Sequence, residues 1–202
     1  NIDFQSVGPT LVQSGSITSA GGNINITEAL QINAPFTVST GAGAGNISLS
    51  TIDTAGTPVA LTLEAGTGDI TIGNVGASIT PSTFTISSAN NVTTQQIFTT
   101  DTISITANNI NLNGPVSTLN NVLLAGNTNL TSDVTADLGF QQTTGNIQLA
   151  GIGNTTITSN GAGSEGIVLQ NVDGNESLTL LSTGGLTFGN VGATTALAQF
   201  NA

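Results

Sequence analysis

Lysine, arginine and histidine are all missing from the 202 residues, while eleven Asp and Glu give a formal net charge of −11. An ordinary chain of this length carries on the order of twenty basic residues. Non-specific nucleic-acid affinity comes from cations that neutralise phosphates, so that class of function is excluded. Attraction to anionic membrane surfaces fails for the same reason. Cysteine is also absent, which removes disulfides and thiolate chemistry. Without Cys and His, the usual zinc, haem and copper sites cannot be built, and only ions that take oxygen ligands remain. A chain that must stay unfolded during export is well served by having no thiols to cross-link.

No apolar run approaches the roughly 18 residues needed to cross a bilayer as a helix. Asn1-Ile2-Asp3-Phe4 has neither a basic nor an apolar leader region. With no Met and a first residue of Asn1, the sequence reads as one domain over residues 1–202, a mature segment or a piece of a longer chain. Trp and Tyr are absent and only seven Phe are present, so there is no obvious platform for stacking sugars.

What is abundant is a short alternating pattern. Ile24-Asn25-Ile26, Leu30-Gln31-Ile32, Phe36-Thr37-Val38, Ile47-Ser48-Leu49, Leu61-Thr62-Leu63 and Ile70-Thr71-Ile72 open a series. It runs on through Phe84-Thr85-Ile86, Ile103-Ser104-Ile105, Ile110-Asn111-Leu112, Ile147-Gln148-Leu149, Ile167-Val168-Leu169 and Leu178-Thr179-Leu180 to Leu186-Thr187-Phe188. Period two predicts short strands with one buried face, and Phe36, Phe84 and Phe188 fall at inward positions. Clusters such as Gly41-Ala42-Gly43-Ala44-Gly45-Asn46 separate the triplets and supply turns. No 3.6-residue stripe is sustained, so essentially no helix is expected.

Repetition decides between a sandwich and a solenoid. Leu61 to Ala77 returns as Leu178 to Ala193, offset by 117 residues before a one-residue gap and 116 after it. Gly126-Asn127 and Gly145-Asn146 are 19 apart, Asn91 and Asn109 are 18 apart, and Asn171 and Asn190 are 19 apart. The prediction is an all-β parallel solenoid of about ten coils of roughly 19–22 residues, rising about 4.8 Å per coil. Asn side chains at matching turns can stack into hydrogen-bonded ladders, with Asn90-Asn91, Asn108-Asn109 and Asn120-Asn121 as candidates.

Two stretches carry a family likeness. Leu-Thr-Leu followed by Gly-Asp-Ile-Thr-Ile-Gly-Asn-Val-Gly-Ala in Leu61 to Phe84, with Ser87-Ser88-Ala89-Asn90-Asn91-Val92-Thr93 after it, is one. Asp173-Gly174-Asn175-Glu176-Ser177-Leu178-Thr179-Leu180, leading into Phe200, is the other. Both resemble the repeat region of filamentous-haemagglutinin-like proteins and autotransporter passengers. The resemblance implies a right-handed parallel β-helix from a large secreted bacterial surface protein that works in adhesion, matrix or fibre building. The Asn-Pro-Asn motifs of that family's secretion domain do not occur, which implies stalk.

Sites of chemistry are few. Lyases of β-helical architecture use Arg or Lys, which this chain lacks. A glycosidase needs two carboxylates about 5–9.5 Å apart, for which Asp133 with Asp137 or Glu64 with Asp69 could be proposed. Solvated turn residues are the ordinary account of all four, and no catalytic, cofactor or metal residue is assigned. Calcium would suit Asp, Asn and carbonyl oxygens, but Gly41–Leu49 and Gly161–Leu169 put Asn46 and Glu165 where the calcium-binding nonapeptide has Asp, leaving at most weak surface binding. Thr156-Ile157-Thr158 is the one clear Thr-x-Thr that an ice-ordering face would repeat, and β-propensity explains it equally.

The expected function is that of a structural or adhesive segment of an exported extracellular fibre at a bacterial cell surface. Its partners would be a second copy stacked end to end, or flanking repeats. The alternative is a module that binds a host receptor or glycan, and behind it a carbohydrate-active enzyme. Nucleic-acid partners and membrane insertion are not expected.

Overall fold

The structure, a computed structural model, describes residues 1–5, 11–151, 153–163 and 165–202. Every regular element among them is a β-strand, and every strand pairing among them is parallel. The chain winds through three faces in turn, each strand lying on the equivalent strand of the coil before. Face I stacks Ile2–Phe4, Ile24–Ile26, Ile47–Leu49, Ile70–Ile72, Asn91–Thr94, 109–112, 127–130, Asn146–Leu149 and Asn171–Gly174. Face II runs from Leu11 through 30–32, Ile52–Thr54, Val75, Ile97–Thr99, Val116–Thr118, Val134–Ala136, Asn154–Ser159 and Ser177–Ser182 to Gln199–Asn201. Face III runs from 15–18 through 36–39, Leu61–Glu64, Phe84–Ser88, 103–106, 121–125, Gly139–Thr144 and Gly166–Leu169 to Leu186–Phe188.

The predicted solenoid is therefore present: nine steps along face I join ten levels, close to the expected count of about ten coils. From Ile2 to Val191 the successive registers advance by 22, 23, 23, 22, 18, 18, 19, 25 and 19 residues. At about 4.8 Å per step the rod rises about 43 Å. The spread beyond the expected 19–22 residues comes mainly from the corner between faces III and I. That corner is long at 40–46 and 65–69, then shrinks to 107–108 and to Gly126 or Gly145 alone, so 103–112 and 121–130 cross it as continuous strands. The 25-residue step takes longer connections on both sides of Asn154–Ser159.

Twelve of the thirteen triplets read from the sequence have both outer residues buried and the middle one less so. Inward columns such as Ile24, Ile47, Ile70, Val92 and Ile110 form one continuous core with Phe36, Phe84 and Phe140. Each such side chain removed from water contributes about 1.5–3 kcal/mol before the entropy of ordering the chain is charged against it. The exception is Leu186-Thr187-Phe188, which lies on the last coil and has no neighbour above it. Phe188 therefore points inward yet stays 39% exposed, and the core role expected for it is not realised.

Strands that escaped the sequence reading have a polar or tiny residue at an inward position: Thr54, Thr94, Thr99, Thr118, Thr128 and Gln142. Several of these hydroxyls donate to a nearby turn carbonyl, as Thr99 Oγ1 does to Asp101 O at 2.6 Å and Thr128 Oγ1 to Gly126 O at 3.3 Å. Satisfying the hydroxyl locally removes most of the penalty of burying it.

The long internal repeat does not stack on itself. Leu61, Ile70, Val75 and Phe84 lie on faces III, I, II and III, whereas their counterparts Leu178, Leu186, Val191 and Phe200 lie on II, III, I and II. The duplicated unit is a run of strand, turn and strand shifted by one face. Its transfer works because all three faces demand the same thing: two apolar residues pointing in and a polar one pointing out.

Candidate functional site: the polar ladder and the open ends

A column of amides and one carboxylate climbs the rod at the start of face I. Its rungs are Asn1, Asn23, Asn46, Asp69, Asn91, Asn109, Asn127, Asn146, Asn171 and Asn190, one on every coil. In the lower half each rung's Oδ1 accepts the backbone N–H of the next rung: Asn23 N to Asn1 at 3.0 Å, Asn46 N to Asn23 at 2.9 Å, and Asp69 N to Asn46 at 2.9 Å. Asp69 Oδ1 then accepts from Asn91 N at 3.1 Å, Asn91 Nδ2 at 2.8 Å and Asn90 Nδ2 at 3.2 Å. Higher up, Asn109 Nδ2 donates to Asn91 Oδ1 at 2.9 Å and Asn171 Nδ2 to Asn146 Oδ1 at 3.0 Å.

Glycine precedes most rungs, as in Gly22-Asn23, Gly45-Asn46, Gly68-Asp69, Gly126-Asn127, Gly145-Asn146 and Gly189-Asn190. A β-carbon at Gly45 would sit 2.7 Å from Gly22 O, and one at Gly68 would overlap Gly45 O. Corners stacked at strand spacing leave no room for a side chain there.

Of the ladder candidates named from sequence, Asn90-Asn91 and Asn108-Asn109 stack as expected, with Asn108 Nδ2 to Asn90 Oδ1 at 3.1 Å. Asn120-Asn121 does not join them. It opens face III one corner away, where Asn120 Nδ2 donates to Asp101 Oδ1 at 2.7 Å and Asn121 packs over Gly139. Replacing Asn46 by Ala deletes the acceptor of the Asp69 amide without disturbing the core. A loss of about 1–2 kcal/mol is expected by urea unfolding, with faster amide exchange at Asp69.

Three of the four proposed carboxylates, Glu64, Asp69 and Asp133, accept structural bonds. Asp133 and Asp137 flank Val134–Ala136, so their Cα atoms are about 13 Å apart along the extended strand. Asp133 Oδ1 accepts from Thr156 N at 2.7 Å. Glu64 Oε2 accepts from Ser39 Oγ at 3.0 Å, while Asp69 holds the ladder across the corner. Of the two nonapeptide positions, Asn46 is a ladder rung and Glu165 Oε2 accepts from Gln141 Nε2 at 3.1 Å; residue 164 of that segment lies outside the described residues. Among the described residues, no group of three or more carboxylates comes together that could hold a metal ion. Thr156-Ile157-Thr158 is followed in the next coil by Thr179-Leu180-Leu181, so the hydroxyl pair is not repeated above it.

The two ends complete the site. At the first coil, Phe4 sits at an inward position and is 37% exposed. At the last, Phe188 and Phe200 meet edge to face with ring centroids 5.3 Å apart, while Leu186, Val191 and Leu197 are half-buried. Among the described residues, no coil covers Phe4 at the first level or Phe188 and Phe200 at the last. The lower ladder bonds have one polarity, each later rung donating to the earlier one, so an interface that continued them would be head-to-tail. Comparison of the chain with family profiles, with curated proteins and with solved structures gives no match in any of the three.

Proposed function

We propose that this chain is a rod segment of an exported fibre or adhesin at a bacterial surface, extended at its ends by further coils, either flanking repeats or a second copy. The observation that carries this reading is the unbroken stack itself. One core and one polar ladder run from the first coil to the last, and among the described residues no coil lies over Phe4 at one end or over Phe188 and Phe200 at the other. Solenoids whose terminal repeats lack a polar outer face are prone to stack or aggregate. A head-to-tail contact that does not close generates a filament. The acidic sides, bearing most of a net charge of −11, oppose lateral clumping at low ionic strength. Resistance to digestion fits the same role, since trypsin has no Lys or Arg to cut after.

Electron microscopy of the purified chain over a concentration series at moderate salt tests the reading. Filaments with a 4.8 Å axial repeat are expected. Phe200→Asp, which places a charge on the uncovered core, should leave single rods about 43 Å long. Compact particles that neither stack nor change with this substitution would overturn the end-to-end arrangement.

A further inference from the structure

Face I carries a feature that the rod reading does not require. Its outward residues Asn111, Asn129, Gln148 and Asp173 are in register on successive coils. Above them the turn after Val191 folds back as a wall. Asp173 Oδ1 accepts the amides of Thr194 at 2.7 Å and Thr195 at 3.1 Å, and Gly174 N donates to Thr195 O at 3.3 Å. The backbone bonds from Thr194 and Thr195 hold the Asp173 carboxyl below its ordinary range, so it is ionised at neutral pH. Under this wall lies a cleft of about 280 Å³, lined by Asn127, Asn129, Asn146, Gln148, Asp173 and Thr194 over the buried Thr128 and Ile147.

The twin turn at 74–79 is held in the same way, with Asp53 Oδ1 accepting from Ser78 N at 2.9 Å and Ile79 N at 3.3 Å. That copy sits on face II, away from the ladder. Only the later copy overhangs face I, where ladder amides border the strand column.

The cleft leaves several amide donors and carbonyl acceptors open. Asn129 donates Nδ2 to Asn111 at 2.6 Å and Gln148 donates Nε2 to Leu149 O at 3.2 Å, and among the described residues neither carbonyl oxygen accepts a hydrogen bond. Asp173 engages Oδ1 with the amides of Thr194 and Thr195 and brings its negative charge to the rim of the cleft. Asn127 and Asn146 use their oxygens along the ladder and keep Nδ2. Acceptors in a column at about 4.8 Å, flanked by amide donors, complement a partner whose groups both donate and accept, as hydroxyls do. The same spacing argues against calcium, because oxygens strung along several coils cannot converge on one ion at 2.3–2.6 Å. An anionic sugar would meet Asp173 with no Lys, Arg or His in the chain to offset it.

We propose that this cleft binds a neutral saccharide through its hydroxyls, without aromatic stacking, at millimolar affinity. The proposal is independent of the end-to-end reading, because it uses only a lateral face.

The test is a titration of the ¹⁵N-labelled Phe200→Asp chain, chosen so that the rods stay single, by heteronuclear NMR, with cellotriose, mannotriose and chitotriose as neutral probes, and trigalacturonate and calcium chloride as contrasts. At least one neutral trisaccharide is expected to shift the side-chain amide signals of Asn127, Asn146 and Gln148 saturably. Asn129→Ala and Gln148→Ala should each weaken that binding about tenfold, while the core amide signals stay in place. Silence with all three neutral probes overturns the proposal, as does binding that both substitutions leave unchanged. Preferential shifts with trigalacturonate or calcium overturn it equally, and none of these outcomes bears on filament formation.

Discussion

Gly126→Ala should unfold the middle of the rod. Gly126 is the whole corner between faces III and I in its coil, with φ at 150°. A β-carbon there would fall inside the van der Waals shell of Ala107 O, a backbone atom of the coil below that cannot swing away. The next coil is equally tight, since a β-carbon on Gly145 would overlap the Gly126 carbonyl. Relief requires moving two corners apart and breaking the pairings of 121–130 with both neighbours. A loss of about 3 kcal/mol or more is expected, at the upper end of what backbone strain alone produces. Because each coil touches only the coils beside it, the damage should stay local. Hydrogen exchange should show protection lost across roughly 103–149 while 24–94 keeps its own, and the melt should split into two transitions. A single transition at the unaltered temperature would show that the corner relaxes freely and that its tightness is not structural. Gly56→Ala is the control: its φ of 109° is also positive, but nothing lies within 4 Å of the added carbon, so only the smaller conformational term applies.

This contrast also marks what could be read from the sequence. Period-two triplets gave the strands, and twelve of thirteen met the expected burial, because each face asks only for apolar residues at alternate positions. The ladder was visible only in pieces: spacings of 18 and 19 residues linked Asn91 to Asn109, Asn127 to Asn146 and Asn171 to Asn190. Its first rungs, at steps of 22 and 23 residues, and the Asp69 rung broke the period, although Gly followed by Asn or Asp ahead of a strand or bridge marked six of the ten rungs. Asn120-Asn121 misled because Asn at other corners has the same local sequence; Asn74, for instance, serves face II by accepting from Gln96 N at 3.4 Å. The rotation of the long repeat and the overhang of residues 192–195 above face I depend on the accumulated lengths of all the intervening corners, which no single window contains. The cleft was illegible for that reason, since it joins Asn127 to Thr194 across three coils.

Ile105→Asp is expected to have the largest effect of any single change, and to make stability depend on pH in a way fixed by the composition. Ile105 is 1% exposed, between Ile86 below and Leu124 above. In most proteins a carboxylate buried there could recruit a lysine or arginine stem from a neighbouring strand. Here no such residue exists anywhere in the chain, so the charge can be relieved only by protonation or by unfolding. Burial disfavours the charged form and raises the folded-state pKa above the ordinary value near 3.9. The unfolded chain then releases its proton first as pH rises. Stability of the variant should therefore be greatest below about pH 4, where the neutral acid costs a lost side chain and an unpaired hydroxyl, and should fall progressively as pH rises toward the raised pKa. At pH 7 a loss of about 4 kcal/mol or more is expected, read as collapse of the urea midpoint, with partial recovery at pH 4. Ile105→Asn separates the causes: it carries the polarity without the titration, so its destabilisation should not depend on pH over the same range. Equal pH profiles for the two variants would mean that the carboxylate reaches water, and that the coils open far enough at this level to let it out.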